Sequence, residues 1–320
     1  MWLNPVITIF RKFVFSLHDL GIFPTTRKIR LFIRWKCYLL FMGIREKFRK
    51  HERMNTYADI MKLPQELIPL VSFVIPVYDR TDKLIRAVNS ALNQTYPKIE
   101  VILVLDGSPS ETVKTALQLS FDPRVRLFSY DDNSGTAVRG RNRGILESNG
   151  EFIAFLDSDD SAHTNRIADS LPPLFYRQAD VVYGGYQLVV NRKNSKRKTT
   201  KREKIFSPDL NKRMLRQHCV PCQSTVMLRK SLFLKSGLLK PQIKYREDHE
   251  LWLRLLNDGA VFKSIKKILV DLELHNENNE LNFLKDSIYW HKFILKEFKK
   301  PGPPYTLLNQ SAGNLNYRDV

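Results

Sequence analysis

The dominant pattern in the chain is a series of short, unbroken apolar runs, each closed by polar turn residues and followed by a stretch with helical spacing. The runs V-S-F-V-I-P-V at 71–77, I-E-V-I-L-V-L at 99–105, 125–130 and F-I-A-F-L at 152–156 are too short and continuous for amphipathic helices. They read as strands buried on both faces. Between them, 83–93 places Leu84, Ile85, Val88 and Leu92 on one helical face, and 111–120 and 139–148 also read as helices. Strand and helix in strict alternation predict a parallel, doubly wound α/β sheet. Downstream, 165–177 reads as a helix with a break or new start at Pro172-Pro173, and 181–190 as a strand. A short helix (209–217) and a strand (224–228) follow. Residues 246–257 read as a helix with Leu251, Trp252, Leu255 and Leu256 inward, and 265–274 as a last strand. The stretch 191–204 holds eight Lys or Arg and one acid. It reads as an exposed loop between two strands, either solvated or touching an anionic lipid or glycan.

The flanks follow a different pattern. Residues 1–70 form a basic amphipathic extension and linker, with 54–70 as the linker around Pro64 and Pro69. Within it, 27–53 interleaves Arg and Lys with aromatic and aliphatic residues. Its longest apolar stretch falls well short of the ~18–20 residues that span a bilayer. A helix of this kind either lies on an anionic membrane surface or packs on the main domain. Residues 276–320 read as a C-terminal helix and tail, which leaves 71–275 as the main domain.

Composition narrows the partners. A chain of 320 residues with 43% hydrophobic content can bury a sizeable core, and a net charge of +19 implies an anionic partner. The basic residues form two local blocks without a zinc-finger, homeodomain or RNP motif, which disfavours nucleic acid. Three cysteines make no disulfide framework in a chain this long and point to a reducing compartment. No signal-peptide pattern is present. Together these suggest a cytoplasmic protein, peripheral on the inner membrane face. Cys219-Val-Pro-Cys222 is a lone C-x-x-C, read as a zinc or redox pair or as two small loop residues.

Chemistry gathers at 150–160, G-E-F-I-A-F-L-D-S-D-D. Asp157, Asp159 and Asp160 close a buried strand and repel one another. Either a divalent cation (Mg²⁺ or Mn²⁺) compensates them, leaving room for a substrate diphosphate, or they form a solvated turn with Asp160 or Ser161 capping a helix. Ligand sites of open α/β sheets lie at such strand ends.

Six motifs fall in one order: Ile75-Pro76-Val77-Tyr78-Asp79; 91–97, A-L-N-Q-T-Y-P; Val104-Leu105-Asp106-Gly107-Ser108; Asn133-Ser134-Gly135 with Arg141-Asn142-Arg143-Gly144; 156–160, L-D-S-D-D; and 247–254, E-D-H-E-L-W-L-R. In this order they resemble family two glycosyltransferases of the GT-A fold, inverting enzymes that use nucleotide-sugar donors. The resemblance covers about 71–275. It departs at Leu105, where the family has Asp, and at Asp79, where it has Asn.

The resemblance implies a Rossmann-like, mostly parallel sheet flanked by helices. Residues 71–160 would form the nucleotide-binding half and 161–275 the acceptor-binding half. It implies a UDP-sugar as donor, with Pro76, Val77, Tyr78 and Asp79 cradling the base and Asp106 accepting the imide N–H. Arg141 would pair with donor phosphate, while Arg139 and Arg143 read as surface charge. Asp157 and Ser158 would contact the donor. Asp159 and Asp160, with His275, would hold Mn²⁺ or Mg²⁺. Asp248, supported by Glu247, would be the catalytic base that deprotonates a glycan or lipid-linked acceptor in cell-surface polysaccharide synthesis. At a helix start, two acids are also favoured by the helix dipole alone. Two rivals stand beside this reading. A sugar-nucleotide nucleotidyltransferase would want a G-x-G-x-R loop where Tyr78-Asp79-Arg80 stands. A catalytically inactive relative would bind anionic membrane or nucleic acid through its basic blocks.

Overall fold

The computed structural model describes residues 56–194, 197–274 and 280–298. The basic stretch 27–53 and His275 lie outside the described residues. Four parallel strands form the nucleus: β1 (Val71–Val77), β2 (Ile99–Asp106), β3 (Val125–Tyr130) and β4 (Phe152–Phe155). They run in the order β3-β2-β1-β4 with parallel register throughout. All residues of β1 and β2 are buried, as continuous apolar runs in a sheet covered on both faces should be. Side chains alternate between two cores: Phe73, Ile75 and Val77 enter one, and Val74 enters the other with Ile153 and Phe155 of β4.

The second half extends this sheet with strands of both directions. These are β5 (Ser161–Ala162), β6 (Val181–Asn194), β7 (Arg197–Ile205), β8 (Met227–Arg229) and β9 (Phe262–Leu274). The order continues β4-β8-β6-β9-β5 with β7 off β6. β8 is antiparallel to both β4 and β6, whereas β9 is parallel to β6. The basic stretch expected as a loop is an antiparallel hairpin: β7 pairs with β6 from Tyr186↔Ile205 to Asn194↔Arg197. Its run of charges hid a strand, because backbone pairing needs no apolar side chains.

The helices are α1 (Tyr57–Ile60), α2 (Thr81–Leu92), α3 (Ser110–Leu119), α4 (Val138–Glu147), α5 (Arg166–Phe175), α6 (Lys212–Gln217), α7 (Leu232–Ser236), α8 (Glu247–Asn257) and α9 (Glu280–Glu297). Residues 56–70, expected as a linker, instead pack: Ile60 and Ile68 are buried in the core beside Val71. In α2 the buried face is Leu84, Ala87, Val88 and Ala91, and Ile85 is exposed, because two alanines complete the stripe. α5 runs through Pro172 and Pro173 without a break, anchored by buried Ile167, Leu171 and Leu174. Among the described residues no helix is long and apolar enough to cross a membrane.

Candidate active site

Parallel strands place their C-terminal ends on one edge, so β1, β2 and β4 deliver their closing residues together. Pro76 and Val77 close β1 and are buried, and Tyr78 and Asp79 are exposed in the loop that follows. Helix α4 lies close over β1 because it carries glycine where a side chain would collide. A Cβ at Gly140 would sit 2.9 Å from Pro76 Cβ, and one at Gly144 would sit 2.4 Å from Val74 Cγ1. That close packing brings two arginines, Arg139 and Arg141, to the strand ends.

At the end of β2, Gly107 turns the chain with φ +62, where a Cβ would meet the Asn133 amide at 2.4 Å. The buried Asp106 carboxylate is held by Arg139 and Ser134. Arg139 Nε and Nη2 reach Oδ1 at 2.6 and 2.5 Å, while the Ser134 amide and hydroxyl reach Oδ2 at 3.1 and 2.7 Å. Arg139 also bonds Asp132 and stacks on Tyr130, with its guanidinium carbon 4.2 Å from the ring centroid. The surface-charge reading of Arg139 is therefore corrected. Arg143 fits that reading better: it pairs with Glu147 one turn along its own helix.

The second arginine joins the halves of the domain. Buried Arg141 donates from Nη2 to Asp157 Oδ1 and from Nη1 to Glu247 Oε1, both at 2.7 Å. Its expected phosphate partner thus finds both Nη groups already engaged by carboxylates. Glu247 opens α8, and the residue before it, Arg246, adopts a left-handed backbone at φ 64. Burial raises the Glu247 carboxyl, and Arg141 pulls it back down. Beside it, Asp248 accepts at Oδ1 from the His249 amide at 2.7 Å and at Oδ2 from the Cys219 thiol at 3.4 Å. The half-buried Cys222 thiol feels Asp160, Asp157 and Asp248 together, and after desolvation these are what push it up. Asp157, Asp160 and Asp248 thus all lie within electrostatic reach of this one thiol. The neighbouring His249 is buried with Nε2 facing Leu215 O, and burial lowers its pKa.

The acidic triplet divides into three environments. Asp157 faces Arg141. Asp159 pairs with Arg80 of the β1 loop at 3.3 Å. Asp160 is buried, and its carboxyl is pushed up to about 8 by that burial and by the charge of Asp157. The Ser224 hydroxyl accepts from the Asp157 amide at 3.0 Å and lies close enough to Asp160 to offset part of the rise in its carboxyl. Ser158 is buried between them in sequence. Beneath lies Arg166, fully buried, donating to Phe155 O and Val226 O at 2.6 and 3.2 Å. Sequence reading missed Ser224, Arg80 and the placement of Cys219, because each lies far along the chain from the motif it serves, and it missed Arg166, whose burial nothing in the local pattern marks.

A divalent cation suits this donor set chemically. The oxygens are hard, and crowding raises Asp160 in a way that a nearby cation would relieve. Among the described residues no three His, Cys, Asp or Glu side chains form a cage by themselves. Cations of this class are commonly held by one or two carboxylates plus substrate phosphates.

Comparison with known proteins agrees with this architecture. The family model "Glycosyl transferase family 2" matches residues 72–237. An uncharacterised glycosyltransferase of Rickettsia typhi is 30% identical over 255 residues, covering 78% of this chain and 76% of its own. A longer relative from Rickettsia conorii, 29% identical over 76% of this chain, is matched over 42% of its own length. The putative teichuronic acid biosynthesis glycosyltransferase TuaG of Bacillus subtilis is 29% identical over 67% of this chain and 82% of its own. Among solved structures, S. aureus TarS 1-349 in complex with UDP-GlcNAc aligns with a TM-score of 0.52 at 17% identity, over 78% of this chain and 76% of that one. The mannosyltransferase PcManGT of Pyrobaculum calidifontis, in complex with GDP-Man and Mn²⁺, aligns with a TM-score of 0.56 at 14% identity, over 80% and 74%. The chain belongs to glycosyl transferase family 2. It is a glycosyltransferase with the GT-A α/β architecture.

Proposed function

We propose that this enzyme transfers a sugar, with inversion, from a UDP-sugar to a hydroxyl of a glycan or lipid-linked acceptor in the synthesis of a cell-surface polysaccharide. The observation that carries the proposal is the Arg141 bridge, which holds Asp157 of the nucleotide half and Glu247 of the acceptor half at 2.7 Å each. Inversion needs one displacement at the anomeric carbon, with a carboxylate taking the acceptor's proton on the side away from the leaving group. Asp248 fits that role: it stands at the start of α8, next to the residue Arg141 anchors. Glu247 supports it through that anchor. Tyr78 offers an exposed ring for the base, with Pro76, Val77 and Asp79 around it, and Asp106 lies at the neighbouring strand end. Asp157 and Ser158 face the donor.

Asp159 and Asp160, with His275, would hold Mn²⁺ or Mg²⁺ against the donor diphosphate. The cation, when bound, neutralises charge on the departing nucleoside diphosphate. UDP and UDP-GlcNAc in TarS, and the teichuronic acid role in the name of TuaG, support a nucleotide-sugar donor and a polysaccharide product. We further place the enzyme at the cytoplasmic face of the membrane, held by residues 27–53 on anionic lipid.

The test is Asp248→Asn. UDP release from UDP-sugars should fall by about 10²–10⁴-fold, the usual contribution of a general base. UDP should still raise the melting temperature as in the wild type. Undiminished turnover in that variant would remove Asp248 from the reaction.

A further inference from the structure

The Cys219-Val-Pro-Cys222 pair is not used by the function above, yet Cys219 touches Asp248 and Cys222 lies within electrostatic reach of Asp157 and Asp160. We propose that Cys219 is a positioning residue: its S–H bond to Asp248 Oδ2 sets the rotation of the carboxylate that takes the acceptor's proton. This inference rests on Asp248 being the base.

Among the described residues that carboxylate has two supports. Oδ1 is held from within α8 by the His249 amide at 2.7 Å. Oδ2 is held from outside the helix by Cys219, at 3.4 Å and 29 residues away in sequence. An amide bond to one oxygen alone allows the group to pivot about that contact, and the thiol removes the freedom. Burial raises the Cys219 thiol, and the adjacent Asp248 charge raises it further, so it remains S–H and a donor. The same conditions make it a poor nucleophile, because reactive cysteines are thiolates in electropositive, partly exposed surroundings. Cys222, half-buried, is raised by desolvation and by the charges of Asp160, Asp157 and Asp248. The pair therefore reads as two retained thiols.

A thiol also suits a base better than a stronger donor would. A hydroxyl or charged donor on Oδ2 would stabilise the anion and weaken its pull on the acceptor's proton. A thiol is a weak donor that orients with less stabilisation.

The experiment uses the full chain, with UDP release from UDP-GlcNAc, UDP-glucose and UDP-galactose run in parallel, and compares Cys219→Ala, Cys219→Ser, Asp248→Asn and the Cys219→Ala/Asp248→Asn double variant. Cys219→Ala should lower kcat about ten-fold at unchanged donor KM, the cost of a loosened catalytic group. Cys219→Ser should recover most of that loss, with melting temperatures equal to the wild type in both. In the Asp248→Asn background Cys219→Ala should cause no further loss, since the two act as one unit. Wild-type kcat in Cys219→Ala, equal losses in the Ala and Ser variants, or a loss persisting in the double variant would each overturn the proposal. If Asp248→Asn alone keeps wild-type turnover, the base reading fails instead, and that arm separates the two failures.

Discussion

Two arginines on one helix, two residues apart, sit over two acidic centres that differ in kind. Arg139 serves the Asp106 centre, built from residues 106–139, with its second partner Asp132 largely exposed. Arg141 serves the Asp157–Glu247 centre, reaching 16 residues in one direction and 106 in the other. Asp106 keeps both donors of Ser134 whether or not Arg139 is present. Asp157 and Glu247 share a single guanidinium. The same residue type is thus an accessory in one place and a keystone in the other. What decides is how many alternative donors each carboxylate has, and how far apart in sequence the partners lie.

The largest way to break this comparison is Arg141→Met. It leaves two acids facing each other with their common cation removed. Breaking a buried ion pair costs about 3–5 kcal/mol, and the lower figure applies because the Asp157 side chain is 34% exposed. Urea unfolding should show a loss of about 3 kcal/mol, and UDP release should be abolished. Arg141→Lys should recover less than half of the stability, since an ammonium cannot present two separated Nη groups to two carboxylates. Full recovery by lysine would reduce Arg141 to a point charge.

Much of the first centre was legible in sequence, and much of the second was not. Apolar runs at 71–77 and 99–105 marked strands buried on both faces, and their acidic or glycine-rich ends marked the cleft edge. Local motifs such as Asp106-Gly107-Ser108 are self-contained, because the turn and its φ +62 glycine lie within three residues. The motif at 247–254 was also visible as a pattern, but its partner was not: nothing in the spacing says that Arg141 will meet Glu247 across 106 residues. Ser224 and Cys219 escaped for the same reason. A buried hydroxyl or thiol gains its role from what the fold places opposite it. The basic run at 191–204 misled differently, because a run of charges does not tell a paired strand from a loop.

A middle-sized test acts on the helix that carries both arginines. Gly144→Val would force a side chain into Val74, where even a Cβ would sit 2.4 Å from Cγ1. Overpacking of this kind costs about 2 kcal/mol and should lift α4 from β1. Because the Arg141 network spans two halves and the Arg139 network one, the shift should lower kcat more than it weakens UDP binding. Equal effects on both would mean that α4 moves as a rigid unit with its partners.

The smallest expected effect belongs to Arg139→Ala. Asp106 keeps the Ser134 amide and hydroxyl, and Asp132 is already in water, so the loss in stability should be about 1 kcal/mol, including the contact with Tyr130. The informative readout is nucleotide binding. On the proposal that Asp106 faces the base, the Arg139 guanidinium on its Oδ1 competes with the imide N–H for that oxygen. Removing Arg139 should therefore tighten UDP binding in a thermal-shift titration while leaving kcat unchanged. Weaker binding would mean that Arg139 itself grips the nucleotide, and that the two arginines are more alike than their surroundings suggest.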